Sequence, residues 1–216
     1  MKKVFKTILT ICMLFMLVMP VSADEKMINF VSPDGKLIFE TNYNENDYYL
    51  EINSDDSFII YTVYDNDDNF KESWSFEKLE YLKTSTFGTR SISTYRHYNT
   101  KDIGAFSGKL NHEVVFELYS SGSFSQFNNL KYDIFYVEGW SYYSLGDHAS
   151  SITPAVNGGW PTTKVQVDYS TVVLAILNSN VNLEYSGKLI SAGFSAGTNF
   201  TYSKLVTNSY TIQTMA

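Results

Sequence analysis

Apolar and polar residues alternate with a period of two through most of this chain, and the helical period of about 3.6 is hard to find in it. Successive side chains of an extended strand point to opposite faces, so a chain written this way is committed to half-buried β structure. Lys36 to Glu40, Tyr48 to Ile52 and Phe58 to Tyr64 read as strands. The clusters Asn44 to Asp47 and Asn53 to Ser57 between them are turns by chemistry, because Asn and Asp bond their own backbone and tolerate left-handed geometry. Further strands are predicted at Ser91 to Tyr98, Glu113 to Tyr119 and Tyr132 to Trp140. In the last of these Ile134, Tyr136 and Trp140 alternate with Asp133, Phe135 and Val137, so both faces carry weight and a central strand is expected. Val165 to Tyr169 alternates, and Val172 to Leu177 is a continuous apolar run suited to a strand buried on both sides.

The most regular alternation lies near the C-terminus. Ile190, Ala192, Phe194, Ala196, Phe200 and Tyr202 fall on one side, while Ser191, Gly193, Ser195, Gly197, Asn199 and Thr201 fall on the other, which predicts one long amphipathic strand over residues 190–202. The preceding strand, Val181-Leu183-Tyr185, is out of phase with it, placing a turn or bulge near Ser186-Gly187-Lys188. The helix candidate is Phe70 to Leu82, with Phe70, Trp74, Leu79 and Leu82 on one stripe; the rival there is a strand fronted by Trp74 and Phe76. Together these predict an all-β chain, an antiparallel β-sandwich or barrel of about ten strands, with room for one short helix near residues 70–82.

Residues 1–23 read as a cleaved secretory leader: Lys2, Lys3 and Lys6 lead the apolar stretch Ile8 to Val18, and Val21-Ser22-Ala23 offers small residues for cleavage. The apolar stretch is shorter than the roughly twenty residues of a membrane-spanning helix. An extracellular product follows, residues 24–216 as one domain, and the form of the leader fits bacterial export. The leader holds Cys12, the only cysteine, so disulfides, thiolate catalysis and cysteine-bound zinc drop out of the exported portion. With 15 Phe, 17 Tyr and 3 Trp, the chain has ample material for a core that needs no staples.

Losing the leader lysines takes the formal charge from −7 to −10, and the charge is unevenly spread. Asp24 to Glu80 carries 15 acids against 4 lysines, whereas Tyr81 to His112 carries Lys83, Arg90, Arg96, Lys101 and Lys109 against Asp102 alone. Arg90, Arg96, Lys101 and Lys109 form a candidate patch for an anionic partner such as a membrane surface; pairing with the acidic first third is the alternative. A strongly acidic chain is not built for nucleic acid.

Motifs for catalysis are weak. Gly193-Phe194-Ser195-Ala196-Gly197 matches the G-x-S-x-G elbow, but no histidine follows His148 and a strand pattern continues after it. Asp147-His148 sits in an expected loop. Asp65-Asn66-Asp67-Asp68-Asn69 opens like a calcium loop, yet Phe70 stands where an EF-hand needs glycine and Phe76 where it needs a bidentate Glu, which leaves a plain hairpin turn, with an irregular calcium-binding turn as the alternative. No histidine cluster points to a metal, and nothing calls for a cofactor. Glu117, Asp133, Glu138, Asp168 and Glu184 supply acids in strand-like surroundings without a spacing that selects a pair. What remains is a secreted, non-catalytic protein that binds a cell-surface polysaccharide or protein. The contacts expected are Trp140, Tyr142 and Tyr143, which run into an irregular segment from Ser144 to Thr163, and Trp160 within that segment. A membrane-active protein using Ile190, Phe194 and Phe200 is the second reading, and an extracellular hydrolase the third.

Overall fold

The structure, a computed structural model, describes residues 26–54, 58–77, 90–156, 158–177 and 183–215. In chain order it contains β1 (Met27–Val31), β2 (Leu37–Asn44), β3 (Tyr48–Ser54), β4 (Phe58–Asp65), β5 (Phe70–Glu77), β6 (Arg90–Asp102), β7 (Lys109–Ser121), β8 (Phe124–Glu138), β9 (Tyr143–Pro154), β10 (Lys164–Ile176), α1 (Leu183–Ser191), β11 (Ser195–Ala196) and β12 (Thr201–Thr214). Two six-stranded antiparallel sheets face each other as a sandwich. The first runs β1-β2-β12-β10-β9, with β11 beside β12, and the second is the meander β3-β4-β5-β6-β7-β8.

The inner faces follow from the alternation. Leu37 and Phe39 of β2, Val165, Val167 and Tyr169 of β10 and Tyr210 and Ile212 of β12 meet Val63, Trp74, Phe76, Val114 and Phe116 of the second sheet, all buried. Phe30 seats on Phe39 and Tyr61 with ring centroids 5.0 and 4.5 Å away, and Phe39 meets Phe76 edge-on at 5.3 Å. Each fully buried ring of this kind contributes roughly 1.5–3 kcal/mol through the area it removes from water.

Several expectations are corrected. Residues 70–77 form β5, with Trp74 and Phe76 buried, so the helix is absent there; residues 78–82 lie outside the described residues, as do the leader and Val181. β8 is an edge strand, not a central one, and Ile134 on its outer face is half exposed. Val172 to Leu177 belongs to a central strand buried on one face only: Val173 and Ala175 point inward, whereas Ile176 is exposed. Ser144 to Pro154, expected as loop, is most of β9, which puts Asp147-His148 on a strand.

The largest correction concerns residues 183–202, where a helix, the two-residue β11 and a turn replace the predicted strand pair. α1 lays Leu189 into the core and Tyr185 against Phe106 and Trp140, with Glu184 and Lys188 paired at 2.8 Å one turn apart. It ends in a Schellman cap: Gly193, at φ +86°, donates its N–H to Ile190 O at 3.0 Å, and Phe194 donates to Leu189 O at 3.0 Å. Leu189 and Phe194 are both buried, the apolar contact that accompanies this cap. Lys204 Nζ donates to Ala192 O at 2.7 Å and neutralises the helix end further. The G-x-S-x-G stretch is therefore a helix-to-strand turn, the reverse of the strand-to-helix turn a nucleophile elbow requires.

Candidate functional site

Strand register carries one row of polar side chains across the outer face of the second sheet. Thr62 stands opposite Ser73, Ser73 opposite Thr100, Thr100 opposite Asn111 and Asn111 opposite Tyr136. These positions alternate with the core residues of the same strands, so they point away from the core, yet Thr62, Ser73, Thr100 and Asn111 are only 6%, 9%, 9% and 4% exposed. Short side chains sink below longer neighbours: Ile60 and Tyr98 stand to one side, and Lys109 with Glu138 to the other. The result is an open groove of ≈ 380 Å³ with a Ser/Thr/Asn floor and a rim of Phe58, Tyr98, Tyr136, Lys109 and Glu138.

The floor is not closed on itself. Thr100 Oγ1 donates to Asn111 Oδ1 at 2.6 Å, while Asn111 Nδ2 is buried with no hydrogen-bond partner. Turning the amide over would only move the deficit to its oxygen, and a buried amide end left unmade costs roughly 1–3 kcal/mol. Burial, followed by the nearby Glu138 carboxylate, pushes the Tyr136 phenol up to about 12, so it remains an O–H donor at neutral pH. Two ion pairs lie on this face. Arg96 Nε lies 3.0 Å from Glu113 and its guanidinium donates to Tyr132 OH at 3.1 Å; Lys131 lies 2.6 Å from Glu117; Lys109 stands opposite Glu138 and over the Phe70 ring at 5.6 Å.

The inner faces of these strands carry a second polar system. Glu72, wholly buried, accepts from Tyr43 OH at 2.8 Å and from the side-chain amides of Asn99 and Asn208, with Lys101 Nζ at 3.6 Å. Burial raises its pKa, and Lys101 with the three donors opposes that rise. Tyr169 OH donates to Asn99 Oδ1 at 2.8 Å, and the Tyr169 ring meets His112, whose Nε2 lies 3.1 Å from Asp133 Oδ2. Burial holds His112 below the usual histidine value and its proximity holds Asp133 below the usual carboxylate value. These bonds tie β5 and β6 to β2, β10 and β12, and β7 to β8.

The structure places the predicted site residues in several regions. Trp140, Tyr142 and Tyr143 do cluster, half-buried: Trp140 lies 4.7 and 5.9 Å from the two tyrosines and 4.2 Å from Phe106. Tyr143 OH donates to Ala105 O at 2.7 Å, and burial pushes that phenol up to about 12. Trp160 is elsewhere. It packs 6.2 Å from Phe116, beside the Thr162–Phe127 bridge near the start of β8, whereas Trp140 follows the other end of that strand. The four aromatics therefore do not form one surface.

Nor do the four cations. Arg90 opens β6, Arg96 and Lys109 stand on the outer face, and Lys101 points inward to Glu72 and to Thr207 O at 3.2 Å. Lys101 with Glu72 is thus the pairing with the acidic first third. Ile190 is exposed on α1, Phe194 is buried in its cap, and Phe200 is exposed in the turn before β12, so the three do not share a strand face. Of the five acids, Glu117 binds Lys131, Asp133 meets His112, Asp168 accepts from Ser209 Oγ at 2.6 Å and Glu184 binds Lys188; Glu138 lines the groove. Asp65 caps its own hairpin by accepting from the Asp67 and Asn69 amides and pairing with Lys71 at 2.5 Å, which holds it well below the usual carboxylate range. His148, through Nδ1, lies 3.2 Å from Gly146 O.

Ser73, Tyr98, Thr100 and Asn111 were missed by pattern reading. Their one signal was polarity on the outward phase of strands whose inward phase carries Trp74, His97 and His112. Among the described residues no group of three or more His, Cys, Asp or Glu is placed to hold a metal, and no helix is long and apolar enough to cross a membrane. Compared with protein-family models, curated proteins and solved structures, the chain matches none.

Proposed function

We propose that this chain is an exported, non-catalytic binding protein that holds a neutral polysaccharide in the groove across β4 to β8. The observation that carries the reading is an open groove whose floor is the short polar side chains of Ser73, Thr100 and Asn111 and whose rim carries the rings of Phe58, Tyr98 and Tyr136. A sugar chain offers what such a groove lacks. Its hydroxyl and carbonyl oxygens accept from floor donors, and its CH faces lie against Tyr98, Tyr136 and Phe58. Ion pairing of Arg96 with Glu113 and of Lys131 with Glu117 on this face favours a neutral ligand over an anionic polymer or membrane surface. Export rests on the leader pattern of residues 1–23.

The test is retention of the protein during electrophoresis through gels containing neutral polysaccharides. Tyr136→Ala should weaken binding by on the order of 10-fold, the value of one aromatic contact of about 1.5 kcal/mol, while Trp160→Ala at the far end leaves it unchanged. Equal retention of wild type and Tyr136→Ala would overturn the placement of the site.

A further inference from the structure

The outer face of the first sheet divides in two along its central strands, β10 and β12. The half next to the Asn199-Phe200 turn is apolar and uncovered, and we propose that it is a membrane-docking surface that seats on the neutral interface of a zwitterionic phospholipid bilayer.

The polar half is closed on itself. Ser209 stands opposite Asp168 and Thr211 opposite Gln166; Ser209 Oγ donates to Asp168 Oδ1 at 2.6 Å, Gln166 Nε2 to Ser209 Oγ at 2.8 Å and Thr211 Oγ1 to Gln166 Oε1 at 3.0 Å. Farther along the same outward phase the polarity stops. Val172, Leu174 and Ile176 of β10 follow one another at two-residue spacing and Leu205 of β12 stands opposite Val172; Ile176 and Leu205 are 48% and 63% exposed. On the neighbouring β9, Gly146 lies where a Cβ would be 3.3 Å from Val172 and Leu174, so that strand adds no side chain over them there. The patch runs on into the turn, where Leu177 donates its N–H to Phe200 O at 3.0 Å. Asn199 and Phe200 are both left-handed, at φ +55° and +56°, across a bond of 3.1 Å from Thr201 N to Thr198 O. Glycine is the unstrained second residue of such a turn, yet a phenyl ring stands there, 53% exposed. Charge and aromatic placement choose lipid as the occupant. No charged residue occurs from Tyr169 to Leu183 or from Leu189 to Ser203. Lys204 turns inward, its Nζ donating to Ile103 O at 3.0 Å and to Ala192 O at 2.7 Å, so on β10 and β12 the patch offers no ion to a charged headgroup or to a charged protein rim. Amphipathic rings border it instead. Ile176 donates its N–H to Tyr142 O at 3.0 Å, Tyr142 lies 4.7 Å from Trp140, and Trp140 lies 5.4 Å from Tyr185. Trp and Tyr settle at the headgroup level of a bilayer, while Leu, Ile and Phe enter the acyl boundary by roughly 5–10 Å.

The test mixes residues 24–216, freed of the apolar leader that would itself bind lipid, with sucrose-loaded phosphatidylcholine vesicles and sediments them. Wild type should partition onto the vesicles. Leu205→Ser and Phe200→Asn, the second keeping a residue that accepts left-handed geometry, should each lower the partition coefficient on the order of 10-fold. Ile92→Ser removes a similarly exposed aliphatic side chain, 57% exposed, near the start of β6 on the other sheet, and should change nothing. A thermal melt verifies that each variant is folded, and either of the two patch variants carries the comparison if the other is not. Wild type that stays in the supernatant at excess lipid, binding that requires anionic lipid, partitioning that survives a folded patch variant, or an equal loss in Ile92→Ser overturns the assignment. So does a dimer in sedimentation velocity that Leu205→Ser dissolves without any vesicle binding, which would give the face to a second copy of the chain. Each of these results leaves the groove reading standing, because polysaccharide retention reports on the other sheet.

Discussion

His97 offers the sharpest quantitative test of the core. It is fully buried in an aromatic box, with Phe39 edge-on at 5.2 Å, Phe116 stacked at 6.3 Å and Phe76 at 6.3 Å. Its Nε2 lies 2.9 Å from Tyr210 OH, and its Nδ1 is buried without a partner. Burial first, and then the neighbouring His112, push its pKa down to about 3 from the ordinary 6.5. Below pH 6.5 the unfolded chain takes up a proton that the folded chain refuses, so stability falls with falling pH and stops falling near pH 3. The slope approaches about 1.4 kcal/mol per pH unit below pH 6, so roughly 2.3 kcal/mol is lost between pH 6.5 and pH 4.5 from this ring alone.

His97→Phe keeps the packing and removes the titration, at the cost of leaving Tyr210 OH unpaired, about 1–3 kcal/mol at every pH. The variant should therefore be less stable than wild type at pH 7, and the gap should close or invert by pH 4.5. Adding Tyr210→Phe should recover most of the fixed offset without restoring the slope. His112, Asp133 and Glu72 titrate in both proteins and largely cancel in the difference. Urea unfolding followed by tryptophan fluorescence suits the purpose, since Trp74 lies 6.1 Å from the Tyr210 ring. A stability gap between wild type and His97→Phe that does not change between pH 7 and pH 4.5 would refute the reasoning.

Two further perturbations test the framework around the groove. Glu72→Ala strands Lys101 and the Tyr43, Asn99 and Asn208 donors inside the sandwich and should cost about 3–5 kcal/mol in urea unfolding, whereas a loss below about 1 kcal/mol would mean the network rearranges freely. Gly139→Ala forces a left-handed residue, at φ +109°, to carry a Cβ 2.8 Å from Ser107 O and 2.9 Å from Gly108 Cα; a loss on the order of 1–3 kcal/mol is expected, and an unchanged melting temperature would count against the geometry of that turn.

Most of the strands were legible because burial on one face writes itself as alternation, as in β10, where Val165, Val167 and Tyr169 are buried and Gln166 and Asp168 are not. The same logic misled at residues 190–202, where Gly, Ala and Ser fill alternate places and fit a helix end, a turn or a strand equally well. There the deciding signals were local. Glu184 and Lys188 sit one turn apart, and Gly193-Phe194 follows Leu189 and Ile190 as a capping sequence. The aromatic cluster of Trp140, Tyr142 and Tyr143 was readable from adjacency, but its distance from Trp160 was not, because that depends on which end of β8 each segment meets. The groove was hidden for a related reason: Ser73, Thr100 and Asn111 become neighbours only through the register of β5, β6 and β7.

That register also ties the floor to the buried polar system beneath it. Each floor residue is adjacent in sequence to a member of the buried polar system: Ser73 follows Glu72, Thr100 follows Asn99, and Asn111 precedes His112. Along a strand the two side chains share one stretch of backbone while facing opposite sides, so hydrogen bonds that fix Glu72, Asn99 and His112 also fix the carrier of Ser73, Thr100 and Asn111. For the groove proposed as a binding site, the interior network is then a source of preorganisation, because it fixes the strands that carry the floor. On that argument, Glu72→Gln should loosen the groove even where the variant remains folded, because its amide nitrogen would face the donors that the carboxylate now accepts.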